Sequence, residues 1–73
     1  MIDWFEINMK TWMTLKSYHG CSYIISMVAD GTFEIYATSL SGKNIVNKNI
    51  LSLTAAKAVV EQDVETRSIR RYR

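Results

Sequence analysis

His19 and Cys21 are the residues of this chain best suited to covalent or metal chemistry, and each is the only one of its type. A thiol beside an imidazole can act as the nucleophile of covalent catalysis. Only Gly20 separates the two residues, however, and neighbours in a tight turn rarely bring a thiol, an imidazole and a third orienting group together. We therefore expect a turn histidine and a buried or strand-edge thiol, and we do not expect an enzyme.

The same two residues supply at most half of a structural zinc site. Such a site needs four ligands, and the sequence offers no second histidine or cysteine. Only ligands shared between two copies of the chain would complete it. We expect neither a bound metal nor a cofactor.

Other patterns of catalysis and phosphate binding are missing from the sequence. The seven carboxylates are scattered, and no two of them stand out as an acid and base pair. Gly42-Lys43 lacks the earlier glycine and the following serine or threonine of a phosphate-binding loop. Gly42 is therefore interpreted as a turn residue.

Positive charge is concentrated in the last seven residues. Residues 1–66 contain five lysines and seven acids, a net charge of −2, whereas the tail has four arginines and no acid. Arginines with an aromatic neighbour can bind phosphates and stack on a base, so a nucleic-acid contact is one hypothesis. A solvated end or a docking segment for an acidic protein is the alternative. The tail residues concerned are Arg67, Arg70, Arg71, Tyr72 and Arg73.

The length of 73 residues allows one domain, which buries roughly 60% of its unfolded surface. A homodimer would bury further apolar surface and is kept as an open alternative. A single cysteine permits no disulfide within the chain, which favours a reducing compartment. The N-terminus has no basic segment, and no apolar run is long enough to cross a bilayer. We expect a cytoplasmic protein with no membrane contact, in the host cell cytoplasm if it is phage-encoded.

Three glycines at intervals of eleven residues indicate short strands joined by tight turns. The strongest pattern is a hairpin, in which residues 23–28 and 33–38 flank an Asp30-Gly31 turn. With a two- or four-residue loop, Val28 pairs with Phe33. One face of the hairpin then forms the core and carries Ile24, Ser26, Val28, Phe33, Ile35 and Ala37. The opposite face carries Tyr23, Ile25, Met27, Glu34, Tyr36 and Thr38.

The segments on either side of this hairpin are predicted with different degrees of detail. Residues 11–18 form a strand with Trp12 on one face and Met13 and Leu15 on the other, with a helix as the weaker alternative. Residues 3–9 fit a strand, a helical turn or a packed arm. Residues 44–51 form a short strand.

A helix follows, which Ser52 caps and which ends at about Thr66. Its apolar positions have helical spacing, so the helix packs across the sheet. The predicted fold is α+β, with a three- or four-stranded antiparallel β-meander packed against one C-terminal amphipathic helix. Residues 1–66 form the single domain and residues 67–73 the basic tail. The apolar positions of the helix are Leu53, Ala56, Val59, Val60 and Val64.

The second face of the hairpin is more apolar than an ordinary solvated surface. In one interpretation, the N-terminal arm with Trp4 and Phe5 packs over it. In the other, it is exposed and binds a partner or a second copy, because aromatic clusters supply much of the energy of interfaces. The partner-binding residues predicted on this basis are Tyr23, Ile25, Met27 and Tyr36.

Several segments resemble small proteins encoded by bacteriophages and prophages. The resemblance covers roughly residues 12–64 and has no active site to carry over. It implies a compact, non-enzymatic accessory factor that binds and modulates or inhibits a host protein, such as a defence or nucleic-acid-processing system, by occupying its surface. A nucleic-acid-binding accessory protein that uses the tail is the second hypothesis, and a structural phage component is the third. The segments are Trp12, residues 20–25 (GCSYII), residues 30–33 (DGTF) and residues 52–63 (SLTAAKAVVEQD).

Overall fold

The computed structural model describes the backbone of residues 2–71 and the side chains of residues 2–66. Five strands form one antiparallel sheet in which chain order and spatial order are the same, and one helix follows. The predicted α+β class is confirmed, with an antiparallel meander and a C-terminal helix, but there are five strands instead of three or four. The elements are β1 (Trp4–Asn8), β2 (Thr11–Thr14), β3 (Ser22–Met27), β4 (Phe33–Ser39), β5 (Gly42–Ile50) and α1 (Leu53–Arg71).

The predicted hairpin forms, but its register differs by one residue from the prediction. Gly31 N donates to Val28 O (2.9 Å) and Val28 N donates to Thr32 O (2.9 Å), which leaves a loop of three residues, 29–31. Gly31 has a φ of +85°, as the last residue of a three-residue hairpin loop requires. Phe33 therefore pairs with Met27, and the predicted pairing with Val28 is wrong.

This shift exchanges the two faces of β3, because side chains alternate along a strand. Tyr23 pairs with Ala37 and Ile25 pairs with Ile35, so they lie on the same face as the β4 core residues. The predicted core positions on β4 are confirmed, whereas those on β3 are wrong. The buried apolar residues are Ile2, Tyr23, Ile25, Phe33, Ile35, Ala37, Ile50, Ala56 and Val60.

His19 and Gly20 form the tight turn that leads into β3. Tyr18 and Cys21 exchange both backbone hydrogen bonds across this turn, at 2.7 and 3.1 Å. Both central residues have a positive φ, 56° for His19 and 80° for Gly20, which is the combination that a type I′ turn requires. Thr14 is buried before the turn, and its Oγ1 accepts a hydrogen bond from Tyr23 N (3.1 Å).

Residues 3–9, for which three interpretations were open, form the edge strand β1 and its turn. Leu15 N donates to Asp3 O (3.1 Å), and the pairing with β2 continues to Asn8 with an irregularity between Glu6 and Asn8. The N-terminal segment thus widens the sheet. It does not lie across the second face, so the interpretation as a packed arm is wrong.

Ser52 caps α1 as predicted, since Ala55 N donates to its Oγ (3.1 Å). Ala56 and Val60 are fully buried against the sheet, and α1 packs on β3, β4 and β5. The backbone of α1 continues to Arg71, so the helix extends beyond the predicted end at Thr66 into the basic tail. The packing of α1 leaves the other face of the sheet outside the core.

Candidate protein-binding face

The face of the sheet opposite α1, here called the open face, carries one apolar side chain from each strand. Residues paired directly across an antiparallel sheet point to the same face. The register pairs Phe5 with Met13, Met13 with Ile24, Ile24 with Tyr36, and Tyr36 with Ile45. These five residues form a continuous apolar row at right angles to the strands.

The two residues at the ends of the apolar row are more exposed than the three between them. Phe5 retains 53% and Ile45 52% of the accessible surface, and Met13, Ile24 and Tyr36 are half-buried. Among the described residues, no helix or strand packs over this face, because α1 covers the other one. Exposed apolar surfaces with polar residues around them are frequent at interaction sites, so this face is the candidate site.

The apolar surface widens beside β1 and β2. Leu15 follows Met13 by two residues and is 62% exposed, and Ile7 follows Phe5 and is also exposed. Four apolar side chains therefore lie at this end of the open face. The opposite end is more polar and contains the hydrogen bond from the Tyr36 hydroxyl to Glu34.

Tyr36 interacts with one acid and one base on the open face. Its hydroxyl donates to Glu34 Oε1 (2.6 Å), and Lys43 Nζ lies 4.7 Å from the centroid of its ring. Hydrogen bonding to Glu34 raises the pKa of Tyr36 above its usual value, and burial and the negative charge of Glu34 act in the same direction. The ring of Tyr36 is thus held between the side chains of Glu34 and Lys43.

A row of polar side chains lies on each side of the apolar row. Thr11 pairs with Ser26, and Ser26 pairs with Glu34. Because Asn47 pairs with Ile35, Lys48 lies opposite Glu34, so this side of the row carries an acid and a base. On the other side, Thr38 pairs with both Ser22 and Lys43.

Two of the four predicted partner-binding residues are fully buried. Tyr23 and Ile25 have no accessible surface and pack beneath α1, so the prediction that they lie on an exposed face is wrong. Met27 is half-buried against the same core. Only Tyr36 lies on the open face. The shift of register explains the error, because it moved alternate β3 residues to the opposite face.

The other four residues of the apolar row were not among the predicted site residues. Ile24 was assigned to the core, and Phe5 was considered only as part of the N-terminal arm. Met13 was placed correctly on the face opposite Trp12, as the pairing of Trp12 with Ile25 now confirms. The five-strand order was needed to bring these residues and Ile45 into one row.

The arginine tail lies largely outside the described residues. The backbone of residues 67–71 is helical, but the side chains of Arg67, Arg70 and Arg71, and all of Tyr72 and Arg73, are beyond the described part of the chain. Nucleic-acid binding by these residues stays a prediction.

His19 and Cys21 line a polar cleft of about 550 Å³ together with Ser39, Asn44 and Asp63. Asp63 Oδ2 accepts a hydrogen bond from the Tyr23 hydroxyl (2.5 Å), which joins α1 to β3. Among the described residues, no three histidine, cysteine or acidic side chains are grouped so that they could hold a metal ion. This geometry assigns the carboxylate of Asp63 a structural contact.

The described part of the chain contains no helix that is both long and apolar enough to span a membrane. Comparison with protein-family models, with curated proteins and with solved structures finds no significant match to this chain.

Proposed function

We propose that this protein is a non-enzymatic binding module that docks on another protein through the open face of its sheet. The apolar row carries the proposal, because it spans all five strands on the face that α1 leaves exposed. Burying such a surface in a complex releases the water that covers it, and this supplies a non-directional driving force for association.

The composition of the row supports a protein partner. Phenylalanine, tyrosine and methionine are enriched in protein interfaces, where lysine and glutamate are depleted at the centre. Here Phe5, Met13 and Tyr36 lie within the row, and Glu34 and Lys43 lie beside it. An apolar centre with a polar rim is the usual arrangement of an interface that forms and dissociates.

The resemblance to phage accessory proteins suggests which kind of protein the open face binds. A protein that modulates or inhibits a host protein needs a contact surface and no active site. The open face provides a contact surface, and a larger host protein is the target that the resemblance favours.

Site-specific crosslinking tests the proposal. Ile45 is replaced by the photo-crosslinking residue p-benzoylphenylalanine, and the protein is irradiated in the lysate of the cells that contain it. We expect a nuclease-resistant protein adduct. Leu51 is 85% exposed in the connection between β5 and α1, and the same replacement there is the matched control.

The Leu51 control should give little or no adduct. The same replacement at Ile24 tests the centre of the row. Equal amounts of adduct from the Ile45 and Leu51 variants would contradict the proposal, and so would the absence of an adduct from both the Ile45 and the Ile24 variants. An adduct that disappears on nuclease treatment would favour the nucleic-acid hypothesis instead.

A further inference from the structure

Most acidic side chains of the described residues lie away from the open face. Glu6 is on the α1 side of β1, as its pairing with β2 shows. Residues 53–66 of α1 carry three acids and one lysine. Asp30 lies in the loop between β3 and β4. The open face is left with Glu34 and, at the edge next to β2, Asp3.

Strand β5 brings two positive charges to the open face. Its sequence contains Lys43 and Lys48 and no acid. Lys43 lies over the ring of Tyr36, and Lys48 lies opposite Glu34, so both lysines are on the open face. They lie on either side of Ile45, the residue that ends the apolar row and is 52% exposed.

The acids of the open face offset this positive charge only in part. Glu34 accepts the hydroxyl hydrogen of Tyr36, and among the described residues no acid forms an ion pair with either β5 lysine. Asp3 is at the opposite edge of the sheet, roughly 19 Å from β5 at about 4.8 Å per strand. Charges so far apart are screened, because the Debye length at physiological ionic strength is about 8 Å. The Ile45 end of the row therefore keeps an excess of positive charge.

A partner that covers Ile45 also removes water from the two lysines beside it. Burying an ammonium group without an opposite charge is costly, so a partner with acidic groups at these two positions is favoured. Apolar side chains over the apolar row and carboxylates over the β5 lysines meet both requirements. Charge complementarity of this kind also selects the correct partner over others.

Phosphate groups would neutralise the same lysines, but the apolar row is a poor surface for bases. Single-stranded nucleic acids bind by stacking successive bases on aromatic side chains. The two rings of the row, Phe5 and Tyr36, are three strands apart, roughly 14 Å, and Met13 and Ile24 lie between them. A protein segment that carries carboxylates therefore fits this surface better than a nucleic acid.

We propose that the open face takes an acidic segment of its target protein, with apolar side chains over the apolar row and carboxylates at Lys43 and Lys48. This proposal rests on the proposed function, because it specifies the partner of the same surface. The target segment should carry aspartate or glutamate within a few residues of the position that contacts Ile45.

Crosslinking from position 45 tests this proposal, with p-benzoylphenylalanine in the full chain as the probe. Tandem mass spectrometry of the nuclease-treated adduct identifies the attached segment of the target, which we expect to be acidic. Lys43→Glu and Lys48→Glu should each lower the yield of adduct about threefold, and the double variant about tenfold, because attraction becomes repulsion. Lys57→Glu makes the same change of charge on α1, across the sheet, and should leave the yield unchanged.

Circular dichroism checks that each variant is folded, and the neutral changes Lys43→Gln and Lys48→Gln should lower the yield by less than the reversals. An attached segment without acidic residues, yields equal to that of Lys57→Glu, or an adduct lost on nuclease treatment would each overturn the proposal. If a nuclease-resistant adduct forms at position 45 and not at position 51, yet ignores the β5 charges, the proposed function stands and the acidic partner alone is excluded. No adduct at position 45 or 24 excludes both.

Discussion

Two tyrosine hydroxyls make the same kind of hydrogen bond in different parts of the fold. Tyr23 donates to Asp63 at 2.5 Å and Tyr36 donates to Glu34 at 2.6 Å. The first bond joins β3 to α1 across forty positions of the chain, whereas the second joins two residues of one strand. Replacing each tyrosine with phenylalanine removes one hydroxyl and keeps the ring.

The two substitutions should have different effects on stability. A hydrogen bond to a charged group contributes about 1.5 to 3 kcal/mol, and the lower value suits a carboxylate that is only half-buried. In a domain of this size, each kcal/mol lowers the melting temperature by about 4 to 8 °C. Tyr23→Phe should therefore lower it by about 6 to 12 °C, and Tyr36→Phe by no more than about 4 °C, because water replaces the bond on the open face.

Thermal melts followed by circular dichroism compare the two variants under the same conditions. Equal changes in melting temperature, or an unchanged value for Tyr23→Phe, would refute the assignment of Tyr23 to the contact between β3 and α1. Tyr23→Ala should cost about 3 to 5 kcal/mol and unfold most of the protein. The loss of binding by that variant would then report on folding and not on an interface.

Three further predictions concern turns and the helix cap. Ser52→Ala should cost about 1 kcal/mol in urea unfolding, because it removes the cap of α1, and a cost no larger than that of Thr54→Ala would contradict the cap. Gly20→Ala should lower the free energy of unfolding by about 1 to 2 kcal/mol, since its φ is +80°, and an unchanged value would argue against the type I′ turn. Hydrogen bonds from the Thr32 hydroxyl and amide hold the pKa of Asp30 below its ordinary value, which stabilises the fold at neutral pH and is lost as the pH falls through the lowered pKa. Thr32→Val should raise that pKa in an NMR titration, and no change would refute the role of the hydroxyl.

Features that depend on neighbouring residues could be predicted from the sequence. Asp30-Gly31 indicated the hairpin because glycine tolerates the positive φ of its turn, and Ser52 indicated the start of α1 because its hydroxyl reaches a nearby backbone amide. Both depend on chemistry within about four residues. Tertiary packing does not alter them.

The face of β3 could not be assigned in the same way. Hydrophobic alternation fixes a face only when the other face is polar, and β3 carries Tyr23 and Ile25 on one side and Ile24 on the other. The choice then depends on whether the loop has an odd or an even number of residues. The predicted loops had two or four residues, and the observed loop has three.

The apolar row depends on contacts that are still more distant in sequence. Phe5 and Ile45 lie at opposite ends of the row and are forty residues apart. That these two side chains share a face can be inferred only when β1 is known to be a strand and β5 is known to be the opposite edge of the sheet. The sequence did not decide whether residues 3–9 form a strand, and the order of the strands depends on the whole sheet.

The three-residue loop between β3 and β4 also affects how this surface can change in evolution. Deleting Ala29 would leave Asp30 and Gly31 as a tight turn and keep the pair of Val28 with Thr32, so both faces of β3 would stay as they are. Exchanging the faces requires a change of pairing by one residue, such as Val28 with Phe33, which would bring Ile24 inward and expose Tyr23 and Ile25. Because both faces of β3 are apolar, either pairing would bury apolar side chains. A slip of register could thus exchange the exposed residues of β3 without changing a single side chain.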